Sequence, residues 1–291
     1  MLHGVVIKTY NSYYYVQTAD KIAMCTLRGR FKKERFSLLV GDEVQYDMLG
    51  NDKGVIEQIL PRRSMLKRPM VANVDQVILT FAAVQPKINP ALMDRFLILA
   101  DLSALVTILC INKMDLADSA ELSPIIELYR SIGYKVITLS AKYGSGILDL
   151  RKLLCDRITA FAGPSGVGKS TILNTIEPGL QLVTGAVSDK IGRGRHTTRF
   201  AELLPLTGGG FVVDTPGFSL TECNDIPESQ LMYCFHEIAA FAPKCRFKSC
   251  LHFKEPQCAV KQAVADGKIS KQRYQSYLEA LTEIRENKKG F

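Results

Sequence analysis

Along the first sixty residues, apolar and polar positions alternate in short runs. Residues 4–10 and 13–18 are rich in β-branched and aromatic side chains and are parted by the turn pair Asn11-Ser12. Residues 21–28, 42–49 and 54–60 repeat the pattern, bounded by Ala19-Asp20, Gly41 and Gly50-Asn51. A period of two predicts strands with one face buried. Five such strands in this length predict a small closed barrel of the OB type, with an SH3-like barrel as the alternative.

The stretch Pro61-Arg62-Arg63-Ser64-Met65-Leu66-Lys67-Arg68-Pro69 is basic and bounded by proline, and reads as a linker. Beyond it the period changes. Apolar runs at 75–82, 104–110, 135–139 and 158–161 alternate with helical patterns at 90–100, 122–132 and 147–154. That alternation predicts a parallel sheet with helices on both faces. After Thr221 the chain turns helical and carries cysteines. Three domains are expected: residues 1–66, a barrel with its basic linker; 67–220, an α/β domain; and 221–291, mainly α.

Composition adds little to the fold but narrows the partners. Of the 291 residues 47% are hydrophobic and 23% charged, the range of an ordinary globular protein. No apolar run reaches the ~18 residues that span a bilayer, and no secretory signal pattern opens the chain, so a cytoplasmic protein is expected. A net charge of +8 favours an acidic partner, nucleic acid first, although solubility alone accounts for it as well. Eight cysteines in such a chain do not read as a disulfide framework. Cys25, Cys110 and Cys155 read as small buried residues, and Cys223 and Cys234 as core.

The chemistry concentrates in the middle of the chain. Gly163-Pro164-Ser165-Gly166-Val167-Gly168-Lys169-Ser170 matches the phosphate-binding pattern G-x-x-x-x-G-K-[ST] between an expected strand and a helix opening near Lys169-Ser170-Thr171. Glycines let the backbone wrap so that its N–H groups meet phosphate oxygens, and the helix N-terminus adds positive charge behind them. Lys169 is expected on the β- and γ-phosphates and Ser170 on Mg²⁺. The base is read elsewhere. Asn112-Lys113-Met114-Asp115 follows an apolar strand, and a carboxylate such as Asp115 accepts from the N1–H and N2–H₂ of guanine, a donor pair adenine lacks. Ser140-Ala141-Lys142 follows the next strand as its companion loop. Asp214-Thr215-Pro216-Gly217 completes the set, with Asp214 on the Mg²⁺ shell and the Gly217 N–H on the γ-phosphate. Between them, Gly192-Arg193-Gly194-Arg195-His196-Thr197-Thr198 reads as a switch whose threonine is Thr197 or Thr198. The guanine motif precedes the phosphate loop, the reverse of the common order. Such a circular permutation keeps a site intact when the old termini lie close together.

Two further features point to metal and RNA. Cys245-x4-Cys250-x-His252-x5-Cys258 offers three thiolates and one imidazole, a closed donor set for one structural Zn²⁺. Lys244, Arg246, Lys248 and Lys254 make its rim basic, and residues 268–289 read as a charged helix. In the barrel, Arg28, Arg30, Lys32, Lys33 and Arg35 alternate with Phe31 and Phe36, which suits phosphate neutralisation and base stacking; a solvated loop is the competing reading.

Taken together, these motifs and their order resemble the ribosome small-subunit-dependent GTPase A (RsgA) family over essentially the whole chain. The resemblance implies an OB barrel, a permuted GTPase domain and a zinc-binding domain. It further implies GTP hydrolysis stimulated by the small ribosomal subunit during its late maturation, with rRNA contacts from the two flanking domains. Alternatives are a GTPase switch on another RNA–protein assembly, or a nucleotide-gated RNA-binding module whose hydrolysis is incidental. A monomer binding GTP or GDP is expected. Many GTPases orient the attacking water with glutamine after the switch glycine. Here Phe218 stands there, and His196 is the expected substitute, since a neutral imidazole accepts a proton near pH 7. Position 166 is glycine, where several permuted GTPases carry an asparagine that helps hold K⁺, so no K⁺ requirement is assigned.

Overall fold

A computed structural model describes residues 1–18, 21–29, 37–67, 69–180, 182, 201–214 and 226–289. The chain divides into two compact units, Met1–Ile78 with Ala141–Ser219, and Leu79–Ser140 with Leu220–Phe291.

In the first unit β1 (Leu2–Tyr10), β2 (Tyr13–Gln17), β3 (Ile22–Leu27), β4 (Glu43–Met48) and β5 (Lys53–Ile59) close into a barrel of order β1-β2-β3-β5-β4. β3 runs parallel to β5 and the other neighbours are antiparallel, the OB arrangement of the two barrels considered. The period-two reading holds: Ala23, Cys25, Val44, Tyr46 and Ile56 are fully buried and fill the interior.

The stretch read as a linker is built structure. β6 (Met65–Lys67) pairs antiparallel with β7 (Met70–Ala72), and Arg62 and Arg63 are engaged by Asp42, Glu43 and Asp75. Three-residue strands are too short to display a period, so only the prolines and charges were legible there.

A six-stranded sheet has the order β10 (Lys135–Thr138), β9 (Val106–Asn112), β8 (Gln76–Ala82), β11 (Ile158–Ala162), β13 (Phe211–Asp214), β12 (Glu202–Pro205). β8 begins in the first unit and ends in the second. Every residue of β8 and β11 is buried, as expected of central parallel strands covered on both faces. Their polar members are paired with neighbours: Gln76 Nε2 donates to Thr159 Oγ1 at 2.9 Å and to the Leu153 carbonyl at 2.7 Å. β12, antiparallel to β13, had no counterpart in the sequence reading.

The helices are α1 (Pro90–Leu102), α2 (Ser119–Ser131), α3 (Ile147–Leu154), α4 (Lys169–Ile176), α5 (Glu228–Leu231), α6 (His236–Phe241), α7 (Ala259–Ala265) and α8 (Lys271–Lys289). Asn89 caps α1 by accepting from Leu92 N at 3.2 Å, and Pro90 takes the first position, where no N–H is needed. Asp118 caps α2 in the same way through Ala120 N at 2.8 Å. α8, read as a charged helix, has one buried face. Arg273, Tyr277, Leu281 and Ile284 recur at helical spacing and pack into a core shared with Ile98, Phe235, Ile238 and Val260. Among the described residues no helix is long and apolar enough to cross a membrane.

Candidate functional site

The guanine motif lies in the second unit. β9 delivers Asn112, which is buried, and the chain then turns sharply: Lys113 is left-handed at φ 61° and opens the single 3-10 turn Met114–Leu116. The turn is held by Met114 N donating to the Leu139 carbonyl at 3.2 Å and by Ala83 N donating to that of Asn112 at 2.9 Å. Lys113 Nζ donates to the Gln85 carbonyl oxygen. Asp115 is exposed, and one of its carboxylate oxygens accepts from the hydroxyl of buried Ser140. The structure thus brings Asn112, Lys113, Asp115 and Ser140 together, with a carboxylate presented outward from a fixed backbone.

The phosphate loop lies in the first unit, between β11 and α4. Gly163, Gly166 and Gly168 have φ of 138°, 77° and 96°, values open to glycine and strained for other residues, so the loop wraps as the pattern demands. Lys169 Nζ donates to the Gly163 and Pro164 carbonyls, each at 2.8 Å. Burial lowers its pKa, so the ammonium is held where an anion would be welcome. Ser170 and Thr171 open α4. The Thr175 hydroxyl, one turn on, donates to the Thr171 carbonyl at 2.8 Å and lies 3.2 Å from the Ala141 carbonyl oxygen, which sets the companion loop, with exposed Lys142, beside this helix. Asp214 ends β13, opposite Glu202 of β12. His196, Thr197, Thr198 and Gly217 lie outside the described residues, as do Arg30, Lys32, Lys33, Arg35 and Cys223. Arg28 is described, and its guanidinium already pairs with Glu57.

Cys245, Cys250, His252 and Cys258 converge, their ligand atoms all within 4.8 Å of one another. Cys245 Sγ lies 3.8 Å from Cys258 Sγ, and His252 Nδ1 lies 3.5 Å from both. A tetrahedron with Zn–S of about 2.3 Å and Zn–N of about 2.0–2.1 Å requires S···S of about 3.8 Å and S···N of about 3.6 Å. The donor set therefore fits zinc, through Nδ1 of His252. His252 is left-handed at φ 58°, and the strained knuckle is braced by Glu255, whose carboxylate accepts from Leu251 N at 2.9 Å and Phe253 N at 2.8 Å. Tyr274 donates its hydroxyl to the His252 carbonyl at 2.7 Å. No spacing in the sequence singled out Glu255 or Tyr274. Lys244, Arg246, Lys248 and Lys254 are exposed around the cluster, Arg246 and Lys254 resting over Phe247 and Phe253.

Cys25, Cys110 and Cys234 are buried, as read, but Cys155 is exposed: it follows α3 at a chain reversal, its thiol 3.1 Å from the Gly208 carbonyl oxygen.

A guanine motif ahead of a phosphate loop on one mostly parallel sheet, with an OB barrel before it and a Cys₃His knuckle after it, defines a circularly permuted GTPase. Residues 59–224 match the RsgA GTPase family model and residues 3–56 that of the RsgA N-terminal domain. The chain belongs to the RsgA GTPase family, whose reaction is hydrolysis of GTP, with Mg²⁺ as its companion. It is 46% identical to the small ribosomal subunit biogenesis GTPase RsgA of Caldanaerobacter subterraneus, over 99% of this chain and 97% of that one. With the protein of the same name from Bacillus subtilis it shares 44% identity over 99% of each. Among solved structures it is similar to YloQ, a circularly permuted GTPase, with a TM-score of 0.83, 40% identity and coverage of 98% and 95%. YjeQ from Thermotoga maritima gives 0.84, 39%, 97% and 98%.

Proposed function

We propose that this GTPase acts in the biogenesis of the small ribosomal subunit, binding the particle through its rRNA and hydrolysing GTP there at a stimulated rate. The observation that carries the reading is the full-length likeness to small-subunit biogenesis GTPases, joined to an intact guanine turn and an intact phosphate loop. Residues 1–66, 67–220 and 221–291 serve as barrel, GTPase domain and zinc-binding domain. The backbone from Gly163 to Gly168 cradles the phosphates, and Lys169 exchanges its two loop carbonyls for phosphate oxygens. Ser170 and Asp214 serve the Mg²⁺ shell, with Thr171, Thr197 or Thr198, and Gly217 closing on the γ-phosphate. Asp115 reads guanine, held by Ser140, while Asn112, Lys113, Ala141 and Lys142 frame the base. His196 orients or deprotonates the water.

One zinc ion held by Cys245, Cys250, His252 and Cys258 supplies folding energy to the knuckle and takes no part in hydrolysis. Arg28, Arg30, Lys32, Lys33 and Arg35 in the barrel and the basic rim around the metal contact rRNA. The protein works as a monomer in the cytoplasm, where the particle is assembled. GTP turnover measured with no ribosomal particle, with purified small subunits and with purified large subunits tests the reading. Stimulation by small subunits alone is expected. Equal turnover in all three assays, or stimulation by large subunits, overturns it.

A further inference from the structure

A buried polar cluster in the second unit joins the C-terminal helix to the start of α1, and a largely exposed loop leads from there to the guanine turn. It begins at Arg273 of α8, whose side chain is fully buried. Its Nη1 donates to Asp94 Oδ1 of α1 at 2.6 Å, and its Nε and Nη2 to the two carboxylate oxygens of Glu237 on α6 at 2.7 and 3.2 Å. The guanidinium also lies over the Phe235 ring, 4.5 Å from its centroid. Asp94, itself fully buried, accepts two more bonds: from the Tyr129 hydroxyl of α2 at 2.7 Å and from Gln272 Nε2 at 2.8 Å. The Tyr129 hydroxyl lies 3.2 Å from the carbonyl oxygen of Pro90, the first residue of α1.

From Pro90 the chain leads back through residues 83–89 into the site. Asn89 fixes the start of α1, Ala83 N holds the Asn112 carbonyl, and the Gln85 carbonyl holds Lys113 Nζ. The links are hydrogen bonds, a helix cap and a seven-residue loop, so a shift of α1 has a continuous route to Asn112 and Lys113. Taking one guanidinium and two carboxylates out of water is costly, and well-packed apolar side chains often do as well for stability alone. What the ionic cluster adds is directional: its hydrogen bonds between α8, α6, α1 and α2 are satisfied in the seating seen.

We propose that Arg273 and Asp94 are positioning residues for guanine recognition. Through α1 and the 83–89 loop they hold Lys113 and Asn112 in the binding geometry. This rests on the reading of 112–115 as the guanine motif.

The test uses the full-length protein and a fluorescent GDP analogue, with GTP kinetics beside it. Asp94→Asn removes the charge in a similar shape. Tyr129→Phe removes one oxygen and leaves the ring in place. Arg95→Ala removes a different contact between the same helices, the exposed pair Arg95–Glu283 at 2.8 Å. The first two are expected to raise the GDP Kd and the GTP KM together by about 2- to 30-fold, the span produced by mutations along a coupling network, with kcat within a few-fold. The Arg95 variant is expected to match the wild type. Should Asp94→Asn fail to fold, Tyr129→Phe decides alone. Folded variants with a lower Tm but a GDP Kd within twofold of wild type overturn the proposal, leaving the cluster a purely structural role. So does an Arg95→Ala effect as large as theirs. Failure of the wild type to prefer GDP over ADP strikes the guanine reading instead, because only the ratio of variant to wild type bears on the positioning chain.

Discussion

Arg62 grips Asp42 with two nitrogens, Nε to Oδ1 at 2.6 Å and Nη2 to Oδ2 at 2.8 Å, on a carboxylate that is fully buried. Oδ2 also accepts from Leu39 N at 2.7 Å, so all three bonds converge on one side chain between the barrel and the β6–β7 hairpin. Removing one partner of such a pair strands the other. Asp42→Ala is expected to destabilise the protein by about 3–5 kcal/mol, read as a lower urea midpoint. An unchanged midpoint would mean that Arg62 finds water as good a partner as Asp42.

Asp115 is exposed on a turn whose backbone is bonded on both sides, so replacing its side chain need not disturb the fold. Asp115→Asn is expected to weaken GTP binding by roughly 100-fold or more, since two charge-assisted bonds at about 1.5–3 kcal/mol each are lost. Xanthosine nucleotides, whose O2 accepts where guanine donates, should then bind better than guanosine nucleotides. Titration of GTP and XTP against both proteins decides it, and an unaltered GTP affinity removes Asp115 from the site.

The metal prediction concerns stability. Cys250 and Cys258 are buried members of the core that includes Phe235, Tyr277 and Ile98, so the metal ligands are part of the packing that holds α6–α8 together. One equivalent of zinc per chain is expected in protein purified without chelator. Cys250→Ser should lose the metal and the cooperative unfolding of α6–α8, while GDP binding weakens only as far as loss of the Arg273–Asp94 contact weakens it. Metal analysis well below one equivalent in the folded wild type would count against a structural site.

How much of this was legible in the sequence follows from the range of each interaction. The barrel strands and the phosphate loop are local patterns: alternation at Val44 and Tyr46 shows the inward face, and the glycines at 163, 166 and 168 mark backbone that needs positive φ. The four metal ligands fall within one short run. What the sequence hid is long-range. Arg273 looks like any charge on a charged helix, because its partners Asp94, Tyr129 and Glu237 are remote in the chain. Glu255 is one more acidic residue until His252 adopts a left-handed turn whose neighbouring N–H groups need an acceptor. The hairpin at Met65–Ala72 failed for the opposite reason, being too short for its pattern to rise above its prolines and charges.

RNA binding by the barrel is expected to be electrostatic. Neutralising Arg30, Lys32, Lys33 and Arg35 together should weaken small-subunit binding and flatten its dependence on salt, since each lost phosphate contact lowers the slope of log K against log[salt] by about 0.7–0.9. Arg28, already paired with Glu57, should contribute less than its neighbours when replaced alone. An unchanged slope in the fourfold variant returns the loop to a solvated surface.

His196 carries the most exposed prediction. Phe218 occupies the place where many GTPases keep a water-orienting glutamine, and an apolar ring cannot accept a proton or aim a lone pair. His196 stands beside Thr197 and Thr198, in the segment expected to fold over the γ-phosphate when GTP and Mg²⁺ bind. Help from a positioned base is worth about 10²–10⁴ in rate. His196→Ala is therefore expected to lower kcat by that range with saturating small subunits, while the GTP Kd stays within a few-fold. The rival role for a histidine among arginines is to face RNA. That role predicts a weaker grip on the particle and a turnover that recovers when small subunits are raised to saturation. Measuring turnover against subunit concentration for both proteins separates the two. A variant that reaches the wild-type plateau at a higher midpoint makes His196 an RNA contact, and the water must then be oriented by another group of this chain or by the particle itself.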